Sequence, residues 1–287
     1  MFKISGQTKL AALYAQPARH SFSPLMQTTA FQAAGIDAIY LSFDLTAEKF
    51  PHAMEAIRSL DLLGVNISMP YKQKALTLVD EVDQAAQLIG AVNTVVNQKG
   101  KLIGYNTDGA GFMKSMAEQA VESPGKELTL LGAGGAAQAI LVQAALDGVR
   151  KINVFNRPSP NYQKIAALIE RLEQVTTCEF QLFELAEQTK LAEKIAGSTL
   201  LVNATSVGMT TSDSLVPPEM LRRDLVVADL IYQPQQTALL QAAKANGAQT
   251  INGLGMLLHQ GAEAFKLWTG QPMPLAVVRP VLEKQIK

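Results

Sequence analysis

The chain has 287 residues, 48% of them hydrophobic, with 25 basic residues against 25 acidic. That length suits two cores better than one, and the charge balance leaves no overall field to draw the protein to nucleic acid or an acidic membrane. Cys178 is the single cysteine, which excludes an intramolecular disulfide and a cysteine-based zinc site, and no uncharged apolar run reaches membrane-spanning length. The opening stretch, Met1 to Gly6, lacks the apolar core of a signal peptide. A cytoplasmic protein with small-molecule partners is expected.

Short apolar runs alternate with helix-patterned segments, without internal repeats, which predicts two α/β domains on parallel sheets with crossover helices. In chain order, the pattern predicts a strand at Leu10 to Tyr14, a helix at Pro24 to Ala34, a strand at Ala38 to Phe43 and a helix at Lys49 to Leu60. A strand at Gly64 to Ile67 leads into Pro70, and a helix follows at Gly109 to Ala120. Pro124-Gly125-Lys126 is a turn near the domain boundary. The first domain is expected to take residues 1–112 and 253–287, and the second residues 113–252. After Asn252-Gly253-Leu254-Gly255, Met256 to Trp268 resumes as a helix that packs back on the first domain, and Pro272 and Pro274 introduce a last short helix.

The second domain opens on the apolar run Leu128 to Leu131, followed directly by Gly132-Ala133-Gly134-Gly135-Ala136-Ala137 and a helix-like stretch from Gln138 to Leu146. A strand, a glycine turn and a helix N-terminus in that order make an anion cradle. Gly132 permits the turn, Gly134 lets backbone approach a pyrophosphate, and Ala137 allows close helix-sheet packing. The competing reading is a plain glycine-rich connection. The next strand, Lys151 to Phe155, falls where a dinucleotide fold wants it and ends at Asn156-Arg157.

The first domain carries four polar clusters suited to binding a substrate. Ser21 and Ser23 stand just before a helix, where they cap it or bind a carboxylate. Asn66 and Ser68 alternate to one side at the end of a strand, with Lys72 following. Asn93 is an amide inside the apolar run Gly90 to Val95 and must find partners if buried. Asp108 lies among turn residues, with an Asx turn or helix cap as the alternative.

These residues carry a family resemblance. Ser-x-Ser-Pro at Ser21 to Pro24, Asn-x-Ser-x-Pro-x-Lys at Asn66 to Lys72, Gly-Ala-Val-Asn-Thr at Gly90 to Thr94 and Asn-Thr-Asp-Gly at Asn106 to Gly109 resemble, in order and spacing, the shikimate dehydrogenase family. So do Gly-Ala-Gly-Gly-Ala at Gly132 to Ala136, Asn-Ala-Thr-Ser at Asn203 to Ser206, and Gly-Leu-Gly-Met-Leu from Gly253 with Gln260 following. The closest likeness is to the quinate/shikimate dehydrogenase branch. The resemblance implies a reversible NAD(P)-dependent interconversion of shikimate and 3-dehydroshikimate, within aromatic amino acid and chorismate biosynthesis.

By the same resemblance Ser21 and Ser23 bind the substrate carboxylate. Ser68, Asn93, Asp108 and Gln260 hold ring hydroxyls, Tyr232 contacts substrate, and Lys72 with Asp108 serves acid/base catalysis. Gly132, Ala133, Gly134, Gly135, Ala136, Asn156, Arg157, Thr205, Leu230 and Gly255 correspond to cofactor contacts. Ser68 stands where threonine is commoner. The loop Asn156 to Asn161 has neither the carboxylate of an NAD reader nor a second arginine, so NAD and NADP both stay open, as does the oligomeric state, a homodimer included.

His20, His52 and His259 lack metal-ligand spacing, and no metal is expected. Trp268 reads as packing material and Arg222-Arg223 as solvated surface. Two alternatives stand beside the shikimate enzyme: a quinate-preferring dehydrogenase, and a catalytically silent nucleotide-binding regulatory protein, against which Lys72 and Asp108 argue.

Overall fold

The computed structural model describes residues 4–286, so Met1 to Lys3 of the opening stretch lie outside the described residues. The chain divides into two compact units, residues 1–107 with 258–285, and residues 108–257 with 286–287. The first unit begins β1 (Lys9–Ala15), α1 (Ser23–Ala33), β2 (Ala38–Asp44), α2 (Phe50–Ser59), β3 (Gly64–Ile67) and α3 (Lys72–Ala75). It continues through β4 (Glu81–Val82), α4 (Gln84–Ile89), β5 (Thr94–Gln98) and β6 (Lys101–Tyr105). On α2, Phe50, Met54 and Ile57 recur at helical spacing, are fully buried, and join Val65, Ile67 and Tyr71 in one core. Each such side chain contributes roughly 1.5–3 kcal/mol by leaving water.

The six strands are ordered β2-β1-β3-β5-β6-β4. The sequence pattern predicts parallel sheets, but β5 runs antiparallel to both neighbours. The reason is local. Lys99 (φ 55°) and Gly100 (φ 92°) join β5 to β6 in a two-residue turn with both φ values positive, and so short a link makes a hairpin rather than a crossover.

The second unit runs α5 (Asp108–Glu118), β7 (Glu127–Leu131), α6 (Gly135–Leu146), β8 (Lys151–Asn156), α7 (Pro160–Leu172) and β9 (Glu179–Glu184). It ends α8 (Gln188–Gly197), β10 (Leu200–Asn203), β11 (Val226–Asp229), α9 (Ala238–Ala245) and β12 (Gln249–Ile251). All its strands are parallel, in the order β12-β11-β10-β7-β8-β9. The order therefore reverses between β7 and β10. Such a switch point opens a crevice at the carboxyl ends of the strands. Arg222 is not the solvated residue expected. Its guanidinium donates to Ile195 O at 2.6 Å and to Ser198 O, capping the carboxyl end of α8.

The last helices are α10 (Leu254–Thr269) and α11 (Leu275–Glu283). Residues 258–285 belong to the first unit: Gln27 Nε2 donates to Gly261 O at 2.8 Å, Trp268 Nε1 to Val95 O at 3.0 Å, and Phe265 lies 5.3 Å from Phe31. The divisions fall at 107/108 and 257/258 rather than at 112/113 and 252/253. At the first, all of α5 packs on α6, where a Cβ on Gly109 would stand 2.3 Å from Ala139 O. At the second, the start of α10 lies on the second unit. A Cβ on Gly253 would stand 1.9 Å from Leu230 O, and the Gly253 N–H donates to Ile231 O at 3.1 Å. Gly253→Ala is therefore expected to destabilise the protein by about 3 kcal/mol, lowering Tm by roughly 6–12 °C. Thermal melting followed by circular dichroism checks this, and an unchanged Tm would contradict so close an approach.

Candidate active site

In the first unit, neither serine occupies the N-cap position of α1. The N-cap position is Phe22, with no side-chain cap bond, and the Ser21 hydroxyl oxygen instead accepts the Ser23 N–H at 3.1 Å. Ser21 thus serves the helix start from one position outside the N-cap, and Ser23 lies inside the helix. One turn beyond Ser23, buried Gln27 holds Gly261 beside Gln260, and a Cβ at Gly261 would meet Met26 Cε at 2.2 Å. Ser23 and Gln260 thus sit on helices held in contact by a buried hydrogen bond.

Ser68 lies just past β3, where its N–H donates to Tyr14 O at 3.0 Å and its carbonyl accepts the Tyr71 N–H at 2.9 Å. Tyr71 is buried, stacks on Phe50 at 4.4 Å, and donates its hydroxyl toward Gln16 Oε1 and Leu45 O. That anchor precedes Lys72, the half-buried first residue of α3, whose carbonyl accepts the Val92 N–H at 2.9 Å. Lys72 is thereby fixed at its backbone.

Asn93 belongs to a buried polar network. Tyr40 donates to Asn66 Oδ1 at 2.8 Å, and Asn66 Nδ2 donates to Thr94 Oγ1 at 3.0 Å and Asn93 O at 3.3 Å. Thr94 Oγ1 donates to Asn93 Oδ1 at 2.9 Å, which also accepts the Thr107 N–H at 2.9 Å, while Asn93 Nδ2 donates to Thr107 Oγ1 at 3.0 Å. Burial pushes the Tyr40 hydroxyl pKa well up, with the Ser23 hydroxyl beside it pulling the other way. Asp108 is the next residue after Thr107 and opens α5.

The second unit holds the cradle. Gly132 has φ +108°, and a Cβ there would stand 3.0 Å from Ala204 O. Gly134 is the extended N-cap of α6 with no side-chain cap bond, and a Cβ on it or on Gly135 meets nothing within 4 Å. Ala133 is buried and its carbonyl accepts from Gln138 Nε2 at 3.0 Å, while Ala136 lies in the first turn. A helix N-terminus without a side-chain cap, beside open space over two glycines, fits a dinucleotide pyrophosphate.

At the end of β8, Asn156 Nδ2 donates to Arg157 O at 2.8 Å and Ser159 Oγ at 3.1 Å, and Ser159 caps α7. The loop is thus tied by its own residues, with Arg157 exposed. Thr205 is locked in a turn, donating to Asn203 Oδ1 at 2.7 Å and accepting the Val207 N–H at 3.1 Å. Buried Asp229 accepts from Thr237 Oγ1 at 2.7 Å, Asn203 Nδ2 at 3.0 Å and the Ile231 N–H at 3.1 Å. Burial raises its pKa, and those three donors pull it back. The same carboxylate fixes the turn carrying Leu230 and Tyr232; Tyr232 is half-buried, which raises its hydroxyl pKa. Gly255 has a packing reason of its own, since a Cβ there would stand 2.1 Å from Ser115 Oγ.

Sequence reading passed over Tyr40, Gln27, Thr94 and Thr107 as functional side chains. Each looks like an ordinary strand, helix or turn residue until its long-range partner is known. Among the described residues, no helix is long and apolar enough to cross a membrane, and no three of His, Cys, Asp and Glu are grouped to hold a metal ion.

A parallel sheet with this strand order and a glycine cradle at its switch point defines the dinucleotide-binding class of α/β proteins. Comparison with known proteins narrows the class. The shikimate dehydrogenase substrate binding domain matches residues 13–95, and the shikimate 5'-dehydrogenase C-terminal domain matches residues 253–283. A shikimate dehydrogenase (NADP(+)) of Streptococcus sanguinis is 46% identical over 286 residues, covering 99% of this chain and 100% of its own. Shikimate 5-dehydrogenase from Listeria monocytogenes, solved in complex with shikimate and NAD, superimposes with a TM-score of 0.96 at 43% identity, covering 98% of each chain. Quinate dehydrogenase from Corynebacterium glutamicum, in complex with NAD, gives a TM-score of 0.88 at 30% identity, covering 96% of this chain and 99% of its own. The chain belongs to the shikimate dehydrogenase family. It is an NAD(P)-dependent oxidoreductase.

Proposed function

We propose that the chain acts in the cytoplasm and interconverts shikimate and 3-dehydroshikimate with NAD(P), as a step of aromatic amino acid biosynthesis. The observation that carries this reading is the end-to-end likeness to proteins named shikimate dehydrogenase at 43% to 46% identity, against 30% for the quinate enzyme. The first unit supplies Ser21, Ser23, Ser68, Lys72, Asn93 and Gln260, and the second supplies Asp108, Tyr232 and the cofactor cradle.

Ser21 and Ser23 bind the substrate carboxylate, with Tyr232 a further substrate contact. Ser68, Asn93, Asp108 and Gln260 hold the ring hydroxyls. The nicotinamide, when bound, exchanges hydride with the carbinol carbon. Lys72 in its neutral form takes the hydroxyl proton as the carbon-oxygen double bond forms, and its ammonium form returns that proton in the reductive direction, with Asp108 in the same role. The turn Gly132 to Ala136 holds the pyrophosphate on the α6 N-terminus, where hydrogen bonds from backbone N–H groups offset its charge. Asn156, Arg157, Thr205, Leu230 and Gly255 complete the cofactor contacts. Initial rates with shikimate and with quinate, each with NAD and with NADP, test the reading. Turnover of quinate above shikimate would overturn it in favour of a quinate dehydrogenase, and absence of all turnover would overturn it altogether.

Arg157 is the exposed cation at the end of β8, in a loop without a carboxylate for the ribose hydroxyls. Arg157→Ala is expected to lower kcat/KM with NADP by roughly 10- to 100-fold through loss of a charge-assisted hydrogen bond to the 2′-phosphate, and to change NAD use much less. Equal losses with both cofactors would place the guanidinium on the adenine ring instead.

A further inference from the structure

The hydrogen-bond network around Asn93 has a direction, and two backbone groups set it. The Thr107 N–H is an obligatory donor and meets the Asn93 side chain at 2.9 Å, so the atom facing it is Oδ1. The Asn93 carbonyl is an obligatory acceptor and meets the Asn66 side chain at 3.3 Å, so the atom facing it is Nδ2. The rest follows by elimination. Asn66 Oδ1 must accept from Tyr40 at 2.8 Å, and Thr94 Oγ1, accepting from Asn66 Nδ2 at 3.0 Å, sends its own proton to Asn93 Oδ1 at 2.9 Å. Tyr40 is 1% exposed, Thr94 0%, Asn93 3% and Thr107 4%, so water does not blur the assignment.

The carbonyl end of the Asn93 amide is therefore filled by internal donors, one N–H of its Nδ2 goes to Thr107 Oγ1 at 3.0 Å, and the polarity it turns to a ligand is N–H. A ligand hydroxyl held there accepts through a lone pair, which leaves its own proton to face another group. We propose that Tyr40, Asn66 and Thr94 are positioning residues that fix Asn93 as a hydrogen-bond donor to a substrate hydroxyl, so that the hydroxyl's proton is directed to an acid/base side chain. The proposal rests on the reading that Asn93 holds a ring hydroxyl.

Thr94→Val keeps shape while removing both the donor to Asn93 Oδ1 and the acceptor for Asn66. It is expected to raise the Kd and KM for shikimate by roughly 3- to 10-fold, the worth of a neutral hydrogen bond, with the KM for NADP unchanged. Thr94→Ser, which keeps the hydroxyl, restores shikimate binding. The decisive readout is the double-mutant cycle with Asn93→Ala, in which Thr94→Val adds no further loss because the amide it positions is gone. Fully additive losses, or shikimate binding unchanged in Thr94→Val, would overturn the positioning role while leaving Asn93 as a contact. Normal shikimate binding by Asn93→Ala alone would instead overturn the underlying reading and the proposal with it. Should Thr94→Val fail to fold, Tyr40→Phe breaks the network farther from Asn93, and the same cycle applies: coupling to Asn93→Ala supports the proposal and its absence overturns it.

Discussion

Replacing Lys72 by alanine is expected to lower kcat for shikimate oxidation by at least about 10²-fold while leaving the Kd for shikimate comparatively intact. A missing acid/base acts mainly on the transition state, and the substrate keeps its carboxylate and hydroxyl contacts. The fold should not suffer. Lys72 is half-buried at the first position of a short helix, alanine is a good helix former, and Tyr71 holds the preceding turn by stacking on Phe50 at 4.4 Å. Steady-state rates together with calorimetric shikimate binding separate the two effects. A variant with near-normal kcat would remove Lys72 from the chemistry. Asp108→Asn should also cut turnover strongly, and the double variant should lose less than the sum if the two side chains act as a unit. Independent losses would make Asp108 a binding residue only.

Gly134→Asp should separate stability from binding with opposite signs. Gly134 is already in the extended conformation of an N-cap (φ −72°, ψ −180°), and a Cβ there meets nothing within 4 Å, so aspartate fits without strain. Its carboxylate would accept from the first free N–H groups of α6 and complement the helix dipole, raising stability by about 0.5–1 kcal/mol. The same carboxylate would occupy the place of the pyrophosphate and repel it, and like charges so close cost several kcal/mol, so NAD and NADP should each bind at least roughly 10²-fold more weakly. A thermal melt and a cofactor titration on one sample read both effects. Normal cofactor affinity in this variant would place the pyrophosphate elsewhere.

The cradle was legible because its cause is local: a glycine turn between an apolar strand and a helix start needs no distant partner to be recognised. The same holds for β7, α6 and β8, the elements on either side of it. The hairpin of β5 and β6 was harder, since Lys99-Gly100 is a two-residue signal inside a region whose alternation elsewhere means crossovers. Tyr40 reads as one more large residue of a buried strand, and only the pairing of β2 with β1 and of β1 with β3 brings it to Asn66. Arg222 likewise looks like half of a surface pair until α8 is seen to end against it. Sequence distance hides both the network and the cap, because what defines them is a partner and not a spacing.

The bond from Gln27 to Gly261 and the bond from Trp268 to Val95 have a consequence for how the chain is made. They close loops across most of its length, so the first unit stays unfinished until residues 258–285 have been synthesised. The second unit, drawn almost wholly from the uninterrupted stretch 108–257, has its core complete before that point. In the order of translation, then, the part begun first is finished last. Until its closing helices arrive, the nascent β1 to β6 sheet and α1 must stand with Val95 and Phe31 uncovered, which makes the emerging amino-terminal half the segment most exposed to chaperone capture or aggregation.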